Sequence, residues 1–189
     1  MSGLGKWIGG FCLGLAVAGL HAGALDAEMT PFQWSFYPPV QLFTAKTMVS
    51  GLRLNTGYGN NTQVNGIDVG ICGGAEKVRG LQVGILSAAT MEMSGAQVGL
   101  CNFTGREDLV KTGKANGAQV GWVNASQSDF AGAQVGVANL SSNGMYGAQV
   151  GFINHVDDSN AVRQGNCFQF GVLNFNKSGF LPFFILFNF

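Results

Sequence analysis

Charge is scarce in this sequence. Of 189 residues, 10 are Lys or Arg and 10 are Asp or Glu, and the two sets cancel to a formal charge of zero. That 11% charged fraction is under half of the roughly one quarter typical of soluble domains. Without a basic patch or stripe there is no electrostatic footprint for nucleic acid, and nothing points to an anionic partner. Histidine is nearly absent as well. Beyond the leader described below only His155 occurs, near Asp157 and Asp158. One imidazole and two adjacent carboxylates fall short of the three or four converging ligands a metal needs, so this stretch reads as a solvated loop and no metal site is expected. Ser126, Ser141 and Ser142 fall at turns with no histidine or acid placed to activate them. No phosphate-binding loop is present, because the glycines alternate within strands instead of preceding a helix. No catalytic residue and no cofactor is assigned, and the chain is not expected to be an enzyme.

Long apolar runs are missing too. The most apolar segment near the start, Trp7 to Leu20, is shorter than the ~20 residues that a membrane-spanning helix needs. With Lys6 before it and Ala22-Gly23-Ala24 after it, residues 1–24 read as a cleavable secretory signal, which leaves 25–189 as a single domain. Cys12 lies inside this apolar stretch behind the bulky Phe11, so lipidation is not expected.

What the chain has in abundance is glycine, 30 residues of it, and the glycine is periodic. Gly-Ala-Gln-Val-Gly, an apolar pair and Asn recur at Gly117–Asn124, Gly132–Asn139 and Gly147–Asn154. Related copies begin at Gly51, Gly66, Gly80 and Gly95, and a degenerate one at Cys167. The intervals are 15, 14, 15, 22, 15, 15 and 20 residues. Such self-similarity marks one small supersecondary unit arrayed many times, here over residues 48–175. Two glycines per octapeptide would each cost a helix about 1 kcal/mol relative to Ala, so almost no helix is expected.

Taking the first Gly of a copy as position one, positions two, four and six form a uniformly apolar face, as in Ala118, Val120 and Trp122, because strand side chains alternate. The other face carries Gly, Gln, Gly and a small apolar residue, flanked by apolar residues such as Met93, Phe130 and Met145. Gln recurs at 82, 97, 119, 134, 149 and 169, with Arg53 and Asp68 in the equivalent places of the first copies. Hydrogen bonding between these glutamines would make them structural; as the functional alternative, Gln97, Gln119, Gln134 and Gln149 could line a pocket for a polar ligand. Cys72 and Cys101 share one repeat position two copies apart, about 10 Å at ~4.8 Å per strand, which is too far for a disulfide. They act as small apolar fillers; the pairing of Cys167 stays open.

Each copy is thus a strand plus a turn, and Asn143-Gly144 is a strong turn dipeptide. The 22- and 20-residue intervals hold charged insertions, Thr104–Lys114 and Val156–Gln164, which read as solvated loops. Pro38-Pro39 belongs to an edge, a bulge or a cap, not a central strand. In residues 180–189 Phe183, Ile185, Phe187 and Phe189 alternate, which resembles the C-terminal assembly signal of bacterial outer-membrane barrels. The Gly-x-Gln-x-Gly-x-x-Asn units, over Val40–Phe189, resemble bacterial surface-repeat proteins built from Gly-Leu-Gln-x-Gly-Leu-Val-Asn units. That resemblance implies the shallow symmetric barrels called β-flowers, with no established enzymatic activity; Asn55, Gly73 and Cys167 depart from the pattern.

The expected fold is therefore all-β: a closed, shallow antiparallel barrel-like array of ~15-residue repeats in which residues 180–189 form the closing strand, with a parallel β-solenoid as the alternative. The apolar stretch of each strand is about 9 Å tall after tilting, short of the ~25 Å of a spanning barrel, so the array is placed at the membrane surface or around its own apolar face. The expected function is that of a non-enzymatic exported protein of a Gram-negative-type bacterial envelope, associated with the outer membrane or cell surface. Membrane or lipid is the expected partner, with an apolar groove lined by Trp122, Phe152 and Phe170. The alternative is an extracellular β-solenoid used for adhesion or interaction. No protein partner is specified.

Overall fold

The computed structural model describes residues 28–37, 40–105, 113–157, 166–177 and 179–189. The expected signal segment 1–24, the Pro38-Pro39 pair and most of both insertions lie outside the described residues. The described chain is all-β and contains no helix. Its strands are β1 (Met29–Tyr37), β2 (Val40–Gln41), β3 (Met48–Thr104), β4 (Lys114–Ser126), β5 (Asp129–Ser141), β6 (Met145–Val156), β7 (Cys167–Asn176) and β8 (Phe183–Asn188). They form one open sheet in the order β2-β1-β3-β4-β5-β6-β7-β8.

The expectation of antiparallel neighbours is corrected by the pairing. β1, β3, β4, β5, β6 and β7 run parallel to one another, and antiparallel pairs occur only at the two ends, β1 with β2 and β7 with β8. β4 and β5 pair from Lys114↔Asp129 to Ser126↔Ser141, yet only Gln127 and Ser128 separate them. A straight 13-residue strand would be about 43 Å long, and two residues can span only about 7 Å of the return. The strand must therefore curl until its end meets its own start, so each copy is one coil and the coils stack. Parallel pairs ordinarily need a separate crossover of a dozen residues or more; here the strand is its own crossover. β3, 57 residues long, contains four such coils in succession.

The register is like on like: Gly117↔Gly132, Gln119↔Gln134 and Asn124↔Asn139, and the same again between β5 and β6. This is the physical reason for parallel pairing, since only a parallel stack brings every glycine, glutamine and asparagine against its own kind. The glycines then become obligatory. At Gly132 φ is +140°, and a Cβ would stand 1.9 Å from the carbonyl oxygen of Gly117 in the preceding coil. At Gly136, the second glycine of the copy, it would stand 2.2 Å from the carbonyl oxygen of Gly121. Asn143-Gly144 lies, as expected, in the turn between β5 and β6, where the Ser141 hydroxyl donates to the Gly144 carbonyl at 3.0 Å.

The interior is narrow, and much of it is polar. One inward column is apolar: Val49, Val64, Val78, Met93, Ala115, Phe130 and Met145, each two residues before the first glycine of a copy. The others are the Gln column at position three, the Asn column at position eight, and a mixed column at position ten that includes Ala89, Thr104, Ser126 and Ser141.

Candidate functional surface

From Gln97 onward each glutamine of the interior column donates from Nε2 to Oε1 of its counterpart in the preceding coil. The bonds are Gln97 to Gln82, Gln119 to Gln97 and Gln169 to Gln149 at 2.8 Å, and Gln134 to Gln119 and Gln149 to Gln134 at 2.7 Å. The head of this ladder is charged. Gln82 Nε2 donates to Asp68 Oδ2 at 2.9 Å, and Asp68 also accepts from Arg53 Nε at 2.8 Å and from Asn55 Nδ2 at 2.6 Å. Arg53 and Asp68 are both buried, and Arg53 further donates to the Gly74 carbonyl at 2.8 Å. An unpaired charge at such depth would be strongly destabilising, and this pair is supplied with partners on every side.

Asparagine builds a second ladder of opposite polarity. Asn102 donates to Asn124, Asn124 to Asn139, Asn139 to Asn154 and Asn154 to Asn174, each at 2.8 Å. Gln donors therefore point toward lower residue numbers and Asn donors toward higher ones. With their hydrogen-bonding capacity used in this way, Gln97, Gln119, Gln134 and Gln149 have no exposed surface and line no open pocket. The reading of these four as ligand contacts is corrected: they are internal struts of the stack.

The apolar face lies outside. In every copy positions two, four and six point away from the ladders, and most of their large side chains are exposed, including Ile67, Val83, Leu100 and Val137. Trp122, Phe152 and Phe170 are 68%, 54% and 53% exposed. Trp122 and Phe152 occupy position six two coils apart, whereas Phe170 continues the position-four column of Val120, Val135 and Val150. The three belong to one exposed outer surface. The expectation of an enclosed apolar face is corrected: these side chains are exposed, and the inward columns are the two amide ladders, the Val49-to-Met145 column and the mixed column.

Charge is sorted to match. From position one to position seven no copy carries a charged residue apart from the inward Arg53 and Asp68. The remaining described charges of the repeats, among them Glu76, Arg79, Glu92, Lys114, Asp129 and Asp157, lie at position eleven or later. There they form exposed pairs such as Arg79–Glu92 at 3.3 Å and Lys177–Asp157 at 2.9 Å. Each coil thus has a charge-free apolar side and a polar side. His155, on β6, lies 6.2 Å from the Phe175 ring; burial lowers its pKa, with Asp157 raising it and Lys177 lowering it by smaller amounts. Among the described residues no three His, Cys, Asp or Glu side chains converge on a metal position, and no helix is long and apolar enough to cross a membrane.

The alternation that separates the two faces was visible in the sequence, but their inside-out assignment was not. The Arg53–Asp68 pair could have been found from its period, since an Arg and an Asp replacing Gln in consecutive copies are placed to meet. No protein-family model, curated protein or solved structure matches this chain.

Proposed function

We propose that this chain is a non-enzymatic exported protein of a bacterial envelope, a β-solenoid that lies against the lipid of the outer membrane through its apolar face. The observation that carries this reading is the combination of buried amide ladders with one outer face that is apolar and free of charge. From β1 to β7 the face extends over nine stacked strands, about 40 Å at ~4.8 Å per strand, and about 17 Å across. The resulting area of roughly 700 Å² exceeds the 300–600 Å² of the largest apolar patch on an ordinary monomer. At about 25 cal/mol per Å² its transfer out of water is worth on the order of 15 kcal/mol before the costs of immobilisation. A layer about one side chain deep fits an interfacial position and not a spanning one. The resemblance of the repeats to bacterial surface-repeat proteins, and the leader-like residues 1–24, fit the same assignment.

Flotation with phosphatidylethanolamine–phosphatidylglycerol vesicles tests it. Wild-type protein is expected to float and Trp122→Asp/Phe152→Asp to remain in the dense fraction with unchanged far-ultraviolet circular dichroism. Both positions are exposed, so the fold does not depend on them. A wild-type protein that stays with the dense fraction, or a double variant that floats equally well, would overturn the reading and favour the alternative of an extracellular interaction module.

A further inference from the structure

The two ends of the stack are built differently. At the β1 end the column of inward amides is closed off: Gln33, in register with Arg53, exchanges two hydrogen bonds with the Phe43 backbone, at 2.9 and 3.0 Å. The edge strand there, β2, is only two residues long, and short edges resist further pairing. At the other end Gln169 is fully buried, and its Oε1 meets no donor among the described residues. The edge strand β8 is six residues long, and neither charge nor proline interrupts it. The turn before it folds back against it, with Phe180 N–H donating to the Phe189 carbonyl and Asn188 Nδ2 to the Leu181 carbonyl at 2.8 Å.

No charged residue occurs between Gly179 and Phe189, and eight large apolar side chains in this stretch are 38–75% exposed. At roughly 150–250 Å² each, about half exposed, they present on the order of 700 Å². That is close to the ~800 Å² per partner of a standard stable interface. Stacked repeats need polar outer faces on their terminal units to remain soluble, and this terminal unit has the opposite.

We propose that β8 is the interface with a second copy of this chain, which adds its own β8 across a two-fold axis. An edge strand recruits another strand through its unpaired N–H and C=O groups, and a two-fold permits only the antiparallel arrangement. In a parallel ladder each residue bonds to the two that flank its opposite, a pattern no two-fold reproduces. Leu186, at φ 74°, lies beside the register slip between Gly171 and Asn174, so the regular part of β8 is Phe183–Ile185 and the axis passes at Phe184. An axis normal to the sheet leaves the apolar faces of both copies on the same side, where one lipid surface can accept both. The interface itself does not depend on that lipid assignment.

Light scattering on the full-length exported protein in mild detergent is expected to give a dimer, and Phe184→Lys/Ile185→Pro a monomer that keeps the wild-type circular dichroism. Because that variant can misfold, Phe184→Cys provides a second measurement: oxidation should give a covalent dimer, while Ser94→Cys, on a coil in mid-stack, should not. A monomeric wild type, or a dimer that survives Phe184→Lys/Ile185→Pro, overturns the proposal. So does failure of Phe184→Cys to crosslink. Trp122→Asp/Phe152→Asp is expected to stay dimeric, so loss of vesicle binding and loss of dimerisation are separable.

Discussion

Gln119 donates to Gln97 at 2.8 Å across an interval of 22 residues, and Gln134 makes the equivalent 2.7 Å bond to Gln119 across 15. The stack therefore carries an insertion without changing its register: Glu92 pairs with Lys114 just as Lys114 pairs with Asp129. Deleting residues 106–112 leaves Gly105-Gly113 as a two-residue link, the length found between β4 and β5. Shortening the link from nine residues to two makes loop closure cheaper by roughly 1.3 kcal/mol, so the deletion variant should unfold in urea within ~1.5 kcal/mol of wild type. A larger loss would mean that the insertion takes part in the fold.

Glutamines within the ladder have two side-chain partners along the column. Gln119→Ala orphans the Gln97 acceptor and the Gln134 donor, both fully buried, and each orphan costs about 1–3 kcal/mol. Gln169→Ala removes a residue whose only column partner is Gln149, and should cost roughly half as much. Equal losses in denaturant titrations of the two variants would count against the ladder as the source of stability.

The charged head of the ladder behaves differently from its body. Arg53→Met leaves the Asp68 carboxylate buried without its counter-charge and should cost about 3–5 kcal/mol. Arg53→Gln/Asp68→Gln converts the head into the amide sequence used by the later coils, and should recover most of that loss. Thermal unfolding of both variants checks this; a double variant no better than the single would show that the pair is needed as charge.

Gly132→Ala must place a methyl 1.9 Å from the Gly117 carbonyl oxygen at φ +140°, where both sterics and backbone oppose it. The expected loss is at least about 3 kcal/mol. Ser94→Ala, an exposed position on β3, should fall within about 0.5 kcal/mol of wild type. Comparison of the two midpoints tests whether close coil stacking, and not local propensity, requires the glycine.

Burial beside Phe175 lowers the pKa of His155, so the folded state favours the neutral ring and the unfolded chain takes up protons first as pH falls. This contribution to stability is complete above the unfolded pKa near 6.5 and diminishes as the pH falls through it. Stability should therefore decline from pH 7.5 to 5.5 with a component that His155→Gln removes. An identical slope in the variant would assign the pH dependence to other groups.

What the sequence by itself determined is the unit: the 15-residue period, the strand character imposed by alternation and paired glycines, and the division of each copy into an apolar side and an amide side. Met93, Phe130 and Met145 could be placed on the glutamine side from alternation alone, and they form part of the buried apolar column there. Strand direction was not legible, because a strand with a short turn has the same local pattern whether its neighbour runs parallel or antiparallel. Nor was the inside of the coil. Trp122 and Gln119 obey the same alternation, and hydrophobicity alone would bury Trp122. Only the tertiary structure decided the matter: with like copies stacked in register, Gln97 to Gln149 and Asn124 to Asn154 gain partners of their own kind above and below, and the narrow coil leaves the columns of Trp122 and Phe170 outside. The glutamines are therefore buried and the apolar face lies on the outside of the coil.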